Sequence, residues 1–331
     1  MRDRCLSNRY HRNNDGTDCF LQVMMPAERV SRGESTMANI LIAGCGYLGT
    51  ALGVYLANLG HRVWGLRRET VDLPSRVLPL VADLTNPATL KAIPTNIDIV
   101  FYMASPDRFE EFSYREAYID GLRNLLDVFK IHETRPRLFY TSSTAVYAQQ
   151  FGEWVDETSP TTPDYFSGRC LLEGEHYLLN SGFPATVVRF GGIYGPGRTR
   201  LIKRVREGSA TYQDGPLRYT NHIHRDDCVG ALAHLMILDE SDCIYLGVDN
   251  APVEWCELLS WLANELEVPP PQVEISPVSG SRQARNNKRC QNAKLVKSGY
   301  TFCYPTFRDG YAALLPSKRE LLSADGRIQK A

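Results

Sequence analysis

The chain has 331 residues, with 37 Lys and Arg against 38 Asp and Glu and a formal net charge of −1. Its 43% apolar and 23% charged content is that of an ordinary globular protein. This excludes a disordered or collagen-like chain and fits about two domains or one large α/β unit. The balanced charge excludes a protein built mainly to coat nucleic acid or anionic membrane, and no apolar run approaches the ~20 residues that span a bilayer.

Nine cysteines are scattered without a CxxC or a Cys/His cluster. They read as free thiols of a reducing, cytoplasmic compartment, not as a disulfide framework or a zinc site. Residues 1–36 carry six Arg against five acids and the turn signal Asn13-Asn14-Asp15-Gly16. They are expected to be a disordered extension, or the product of an upstream start codon, with the folded protein beginning near Met37.

Asn39–Ala43 is a short apolar run, and Gly44-Cys45-Gly46-Tyr47-Leu48-Gly49 follows it into the helical composition of Thr50–Leu59. This is G-x-G-x-x-G between a strand and a helix, the context a dinucleotide-binding turn requires. Gly44 allows the tight turn, Gly46 lets the backbone approach a pyrophosphate, and Gly49 permits close helix–strand packing. Tyr47 and Leu48 open the helix, whose free N–H groups would hold the phosphates.

Gly60 ends that helix and His61–Leu66 reads as the second strand. An NAD-binding unit needs an acid at about this point, for the ribose 2′-hydroxyl. Here stand Arg67 and Arg68, whose guanidiniums suit a 2′-phosphate, so NADP is preferred; Glu69 next door leaves NAD possible. Val77–Val81 is the third strand, and Asp83 after it is placed either to bond an adenine edge or to cap a helix. Ile97–Ala104 and Leu138–Ser142 are further strands, Ala117–Ile131 is a helix, and Ala104 falls at the ligand end of its strand. Alternating βα units predict an α/β fold, a Rossmann-type doubly wound parallel sheet with ligands at the strands' carboxyl ends.

In order, these landmarks continue with Tyr140-Thr141-Ser142-Ser143-Thr144-Ala145-Val146-Tyr147, Arg189-Phe190-Gly191-Gly192-Ile193-Tyr194-Gly195-Pro196-Gly197-Arg198, Ile223-His224-Arg225-Asp226-Asp227-Cys228-Val229, and a closing Ser298-Gly299-Tyr300 with Tyr304-Pro305-Thr306. The ordered set resembles the extended and atypical short-chain dehydrogenase/reductase superfamily, the NAD-dependent epimerase/dehydratase proteins, over roughly residues 37–315. The resemblance implies a Rossmann domain over 37–190, a smaller C-terminal substrate lobe over 191–315 interleaved with it, and a polar tail at 316–331. It also implies a hydroxyl that orients the substrate, a Tyr that exchanges a proton with it and a Lys that stabilises the phenolate. Ser143 matches the hydroxyl.

The Tyr-x-x-x-Lys element departs from the family. Tyr165-Phe166-Ser167-Gly168-Arg169 offers Tyr-x-x-x-Arg, one helical turn apart, in which Arg169 could stabilise a Tyr165 phenolate. In the other register Ser167 stands at the tyrosine position and Leu171 at the lysine position, and the usual acid–base pair is missing. Both registers stay open here.

On the substrate side, Gly192 lies in the glycine-rich turn after the strand Thr186–Phe190, and Asp226 or Asp227 is expected to cap the helix Cys228–Leu238. The basic stretches 198–206 and 281–297, with Arg198 and Arg282 as the named candidates, point to an anionic substrate. No third ligand stands at metal spacing, so no metal is expected, and neither nucleic acid nor membrane is expected as a partner; a homodimer is left open. The expected activity is that of an oxidoreductase or epimerase acting on a nucleotide-sugar or related anionic carbonyl or alcohol. The alternative is a non-enzymatic NADP(H)-binding sensor or scaffold.

Overall fold

The computed structural model describes residues 37–69, 73–239, 241–274 and 287–315. Strands β1 (Asn39–Ala43), β2 (Arg62–Arg67), β3 (Leu78–Val81), β4 (Ile99–Tyr102), β5 (Arg137–Ser143), β7 (Ala185–Phe190) and β12 (Ile244–Gly247) form one sheet in the order β12-β7-β5-β4-β1-β2-β3. Every pairing in it is parallel. This is the doubly wound sheet expected from the alternating pattern. The chain winds outward from β1 to β3, crosses over and continues from β4 to the other edge, which opens a crevice at the carboxyl ends of β1 and β4.

The core follows from the alternation of side chains along buried strands. Ile40, Ile42, Phe101, Phe139 and Val188 face helix α1 (Tyr47–Asn58) and a later helix that supplies Leu232 and Leu235. Leu41, Val100, Tyr102, Leu138 and Tyr140 face the opposite layer, with Leu122, Leu125, Leu126 and Phe129. Strands buried on both faces read as unbroken apolar runs, which is why Asn39–Ala43 was legible as a strand.

Helix α1 starts at Tyr47, three residues before the helical composition begins, because Gly46 serves as N-cap. The helix expected over Ala117–Ile131 begins earlier still. It runs as α2 (Glu111–Arg115), a π turn (Glu116–Asp120) and α3 (Gly121–Ile131). Tyr102 and Tyr140 stack 5.6 Å apart and donate from their hydroxyls to the carbonyls of Ala117 and Tyr118. Two side chains rising from the sheet take those acceptors, and the helical ladder widens there by one residue.

Beyond β5 come β6 (Glu153–Val155), helix α4 (Phe166–Leu179), β8 (Gly192–Tyr194), α5 (Arg200–Arg206), β9 (Thr211–Gln213), β10 (Tyr219–Thr220), β11 (His222–His224) and α6 (Arg225–Met236). After β12 follow β13 (Val253–Glu254), α7 (Trp255–Glu265), β14 (Gln272–Glu274), β15 (Lys288–Cys290), α8 (Ala293–Lys297) and α9 (Phe307–Leu314). Ile202, Val205, Leu258, Leu262, Phe307 and Tyr311 form a separate apolar cluster, while α6 and β12 return to the main sheet.

The N-cap of α6 is His224, not the expected Asp226 or Asp227; its Nδ1 accepts the Asp226 N–H at 3.3 Å. Asp227 instead accepts from the Cys303 and Tyr304 backbone N–H groups and the Tyr300 hydroxyl, tying the C-terminal segment to α6. Among the described residues no helix is long and apolar enough to cross a membrane, the seven cysteines carry no disulfide, and no cluster of metal-ligating side chains is present.

Candidate functional site

A cleft of about 590 Å³ opens at the β1/β4 crevice, and Gly44, Gly46, Arg67, Arg68, Asp83 and Ala104 all line it. Gly44 has φ +95°, and a Cβ there would lie 2.6 Å from the Ala104 backbone nitrogen, so only glycine lets β1 turn beneath the end of β4. A Cβ at Gly46 would meet nothing within 4 Å, which leaves open space beside the backbone. Gly49 packs against the Gly44 carbonyl and Ile42. Helix α1 has no side-chain cap and no acid in its first turn, so its N–H groups and dipole can accept a phosphate. The residues present fit a dinucleotide.

Acids border the same cleft: Glu69, Asp83, Asp107 and Glu116. Asp83 accepts from the Thr85 N–H and hydroxyl through one oxygen and lines the cleft as well. Arg68 binds Asp107 through two parallel bonds of 2.5 and 2.6 Å, and this holds the Asp107 carboxyl below the usual range. Asp107, on the loop after β4, was not singled out from sequence because it lies 39 positions from Arg68.

The expected catalytic residues come from the end of β5 and the start of α4. Ser143 ends β5, and its Oγ accepts the Ala145 N–H. Tyr165 is the N-cap of α4 with extended backbone, and its carbonyl accepts the Arg169 N–H at 3.1 Å. Its ring stacks on Phe109, centroids 5.7 Å apart, and tilts against Phe166. Arg169 is exposed and donates to the Asp164 carbonyl, beside a separate shallow depression lined by Thr162, Pro163, Leu172, Glu173 and His176. Leu171 is buried among Val146, Tyr147 and Val155.

A buried polar network joins these elements. Glu175, fully buried, accepts from Arg189 Nη2 at 2.7 Å and from Ser142 Oγ, and Arg189 Nη1 donates to the Tyr147 hydroxyl at 2.8 Å. Burial pushes the Tyr147 phenol up to about 12. Lys288, also buried, donates to the Tyr147 carbonyl, and burial lowers its pKa to about 8. The sequence carried a weak signal for this network, an arginine inside the apolar strand Thr186–Phe190.

Of the substrate-side candidates, Gly192 opens β8 two residues beyond β7. Arg198 lies over the ring of Tyr47, its guanidinium carbon 4.2 Å from the centroid, so it sits at the glycine loop. Arg282 lies outside the described residues, as do segments 1–36 and 316–331.

Fold and cleft define a class, the Rossmann-type parallel α/β proteins with a ligand crevice at the switch point of the sheet. The chain belongs to the NAD-dependent epimerase/dehydratase family, matched over residues 40–242, as the ordered motifs implied. A 3-diazoavenalumate denitrifying reductase of a Streptomyces species is 27% identical over 256 residues, which cover 70% of this chain and 83% of the relative. A solved structure described as an NAD-dependent epimerase/dehydratase of Methylobacillus flagellatus is 35% identical, with 86% of this chain and all of that one covered at a TM-score of 0.70. The fold is also that of UDP-glucuronic acid 4-epimerase from Bacillus cereus, solved with UDP-glucuronic acid and NAD. That chain is 22% identical, with 83% and 97% covered and a TM-score of 0.68.

Proposed function

We propose that the protein is an NAD(P)-dependent oxidoreductase that reduces or oxidises an anionic carbonyl or alcohol compound, of which a nucleotide-sugar is one class, with NADP preferred. The observation that supports this most is the cleft, where an uncapped helix start and the open side of Gly46 share one crevice with Arg67 and Arg68. The Bacillus epimerase holds NAD and a nucleotide-sugar on the same fold, and the Streptomyces relative is a reductase. Both favour redox chemistry.

When bound, the coenzyme supplies or accepts a hydride. In the reducing direction the substrate oxygen gains the carbonyl electron pair and takes a proton from the Tyr165 phenol, which water then reprotonates. Ser143 Oγ orients that oxygen. Arg169 takes no part: it lines the separate depression and donates there to the Asp164 carbonyl. A general acid within hydrogen-bond reach of the reacting oxygen contributes about 10²- to 10⁴-fold in rate.

A second reading, dinucleotide binding without proton transfer, is favoured by Leu171, which stands in an apolar cluster where a phenolate-stabilising lysine would be needed. Oxidation of NADPH and NADH followed against nucleotide-sugars, with Tyr165→Phe and Ser143→Ala alongside, separates the two. Turnover lost in Tyr165→Phe supports the enzyme. Coenzyme binding without turnover of any substrate supports the sensor, and turnover indifferent to Tyr165→Phe removes that residue from the mechanism.

A further inference from the structure

We infer that Arg198, from the segment between β8 and α5, binds the diphosphate of the dinucleotide at the glycine loop; this rests on the coenzyme reading above. Tyr47, the first residue of α1, donates its hydroxyl to the Pro196 carbonyl at 2.9 Å. The turn that carries Arg198 is seated on the same ring. A Cβ at Gly195 would lie 3.0 Å from the Tyr47 hydroxyl, and the Arg198 N–H closes the turn onto the Gly195 carbonyl at 2.9 Å.

Two guanidiniums approach this phenol, Arg198 at 4.2 Å and Arg225 at 5.6 Å from the ring centroid. Arg225 is neutralised by Asp226 at 2.9 Å. Arg198 is exposed and makes no ion pair among the described residues. An exposed guanidinium with no ion pair among the described residues therefore stands on the ring of the first residue of a helix that has no acid in its first turn. Cations are unfavourable at the positive end of a helix dipole, and an anion placed between guanidinium and helix start removes the repulsion. A diphosphate fits, with an arginine fork on its oxygens.

The same chemistry occurs in a nucleotide-sugar. The coenzyme is the assigned source because Tyr47 follows Gly46 directly, and Gly46 lines the cleft. Because Arg198 is exposed, replacing it leaves the core intact, which an unchanged Tm verifies. Arg198→Ala should raise the Kd of NADH and of NADPH alike, by about ten-fold, as expected for a lost hydrogen bond to a charged group. It should leave AMP, which has no diphosphate, and UDP-glucuronic acid within about two-fold. Arg198→Lys, which keeps the charge and loses the fork, should fall between.

Unchanged coenzyme affinity in Arg198→Ala would overturn the assignment. Loss of UDP-glucuronic acid binding with coenzyme unmoved would do so too, moving Arg198 to the substrate, as would an equal loss for AMP. Wild-type protein that binds neither NADH nor NADPH would instead defeat the coenzyme reading itself.

Discussion

Arg68 and Asp107 meet fork to fork at the rim of the cleft, Nη1 to Oδ2 at 2.5 Å and Nη2 to Oδ1 at 2.6 Å. The arginine proposed to receive a 2′-phosphate is thus held by a carboxylate from the loop after β4. Both side chains are more than half exposed, and such a pair is worth about 0–1 kcal/mol. A phosphate can displace Asp107 at small cost.

Asp107→Asn should therefore tighten NADPH binding by about three- to five-fold, the value of that one exposed pair, and move NADH by less than two-fold. Titration of both coenzymes at one ionic strength reads the difference. Equal changes for the two would show that Asp107 does not bear on the 2′ position.

The Glu175–Arg189 pair sits where water does not reach, at 0% and 3% exposure. Glu175→Gln keeps the volume and strands the Arg189 charge, which should cost about 3–5 kcal/mol of stability. Urea unfolding measures this directly. A loss below about 1 kcal/mol would mean that Ser142 and Tyr147 hold Arg189 without the carboxylate.

Stability against pH should pass through a maximum near pH 6.5. Burial lowers His222 to about 4 and His224 to about 3, from 6.5. Their contribution is full above pH 6.5 and is lost as pH falls, because the unfolded chain then binds protons that the folded one refuses. His224 stays neutral although it lies 3.6 Å from the Asp226 carboxylate, since its Nδ1 accepts a backbone N–H.

Asp249 carries the opposite sign. Burial, with Asp227 and Asp309 nearby, raises it from 3.8 to about 8. Its contribution is full below pH 3.8 and is lost as pH rises towards 8. Between about pH 4 and 6.5 the two histidines outweigh the one carboxyl, two protons to one; above 6.5 Asp249 pulls stability down, in the same direction as Asp227, whose carboxyl burial also raises, and from about pH 8 Lys288 acts with the opposite sign. Each uncompensated proton is worth about 1.4 kcal/mol per pH unit. Thermal unfolding from pH 5 to 8 checks the shape, and Asp249→Asn should make the fall above pH 6.5 shallower.

The sheet and the glycine loop were readable because their causes are local. Apolar runs such as Asn39–Ala43 announce strands buried on both faces. Gly44 turns the chain at φ +95° and a Cβ at Gly49 would clash with the Gly44 carbonyl, both within one strand–turn–helix unit, and the family followed from ordered short motifs. Arg67, Arg68 and Asp83 could be placed at strand ends for the same reason.

What lies across the fold was not readable. Tyr165 has helical spacing to Arg169, but as the N-cap of α4 it stacks its ring on Phe109, 56 positions earlier in the chain, a contact that residue spacing does not show. Asp107 reaches Arg68, Arg198 reaches Tyr47 and Glu175 reaches Arg189 only after β–α crossovers bring distant segments together. By itself the sequence determined the scaffold and the glycine turn, since strand and turn sterics act between neighbours in the chain. Only the tertiary structure decided which charge faces which, because Coulomb and hydrogen-bond energies depend on distance in space and carry no trace in residue spacing.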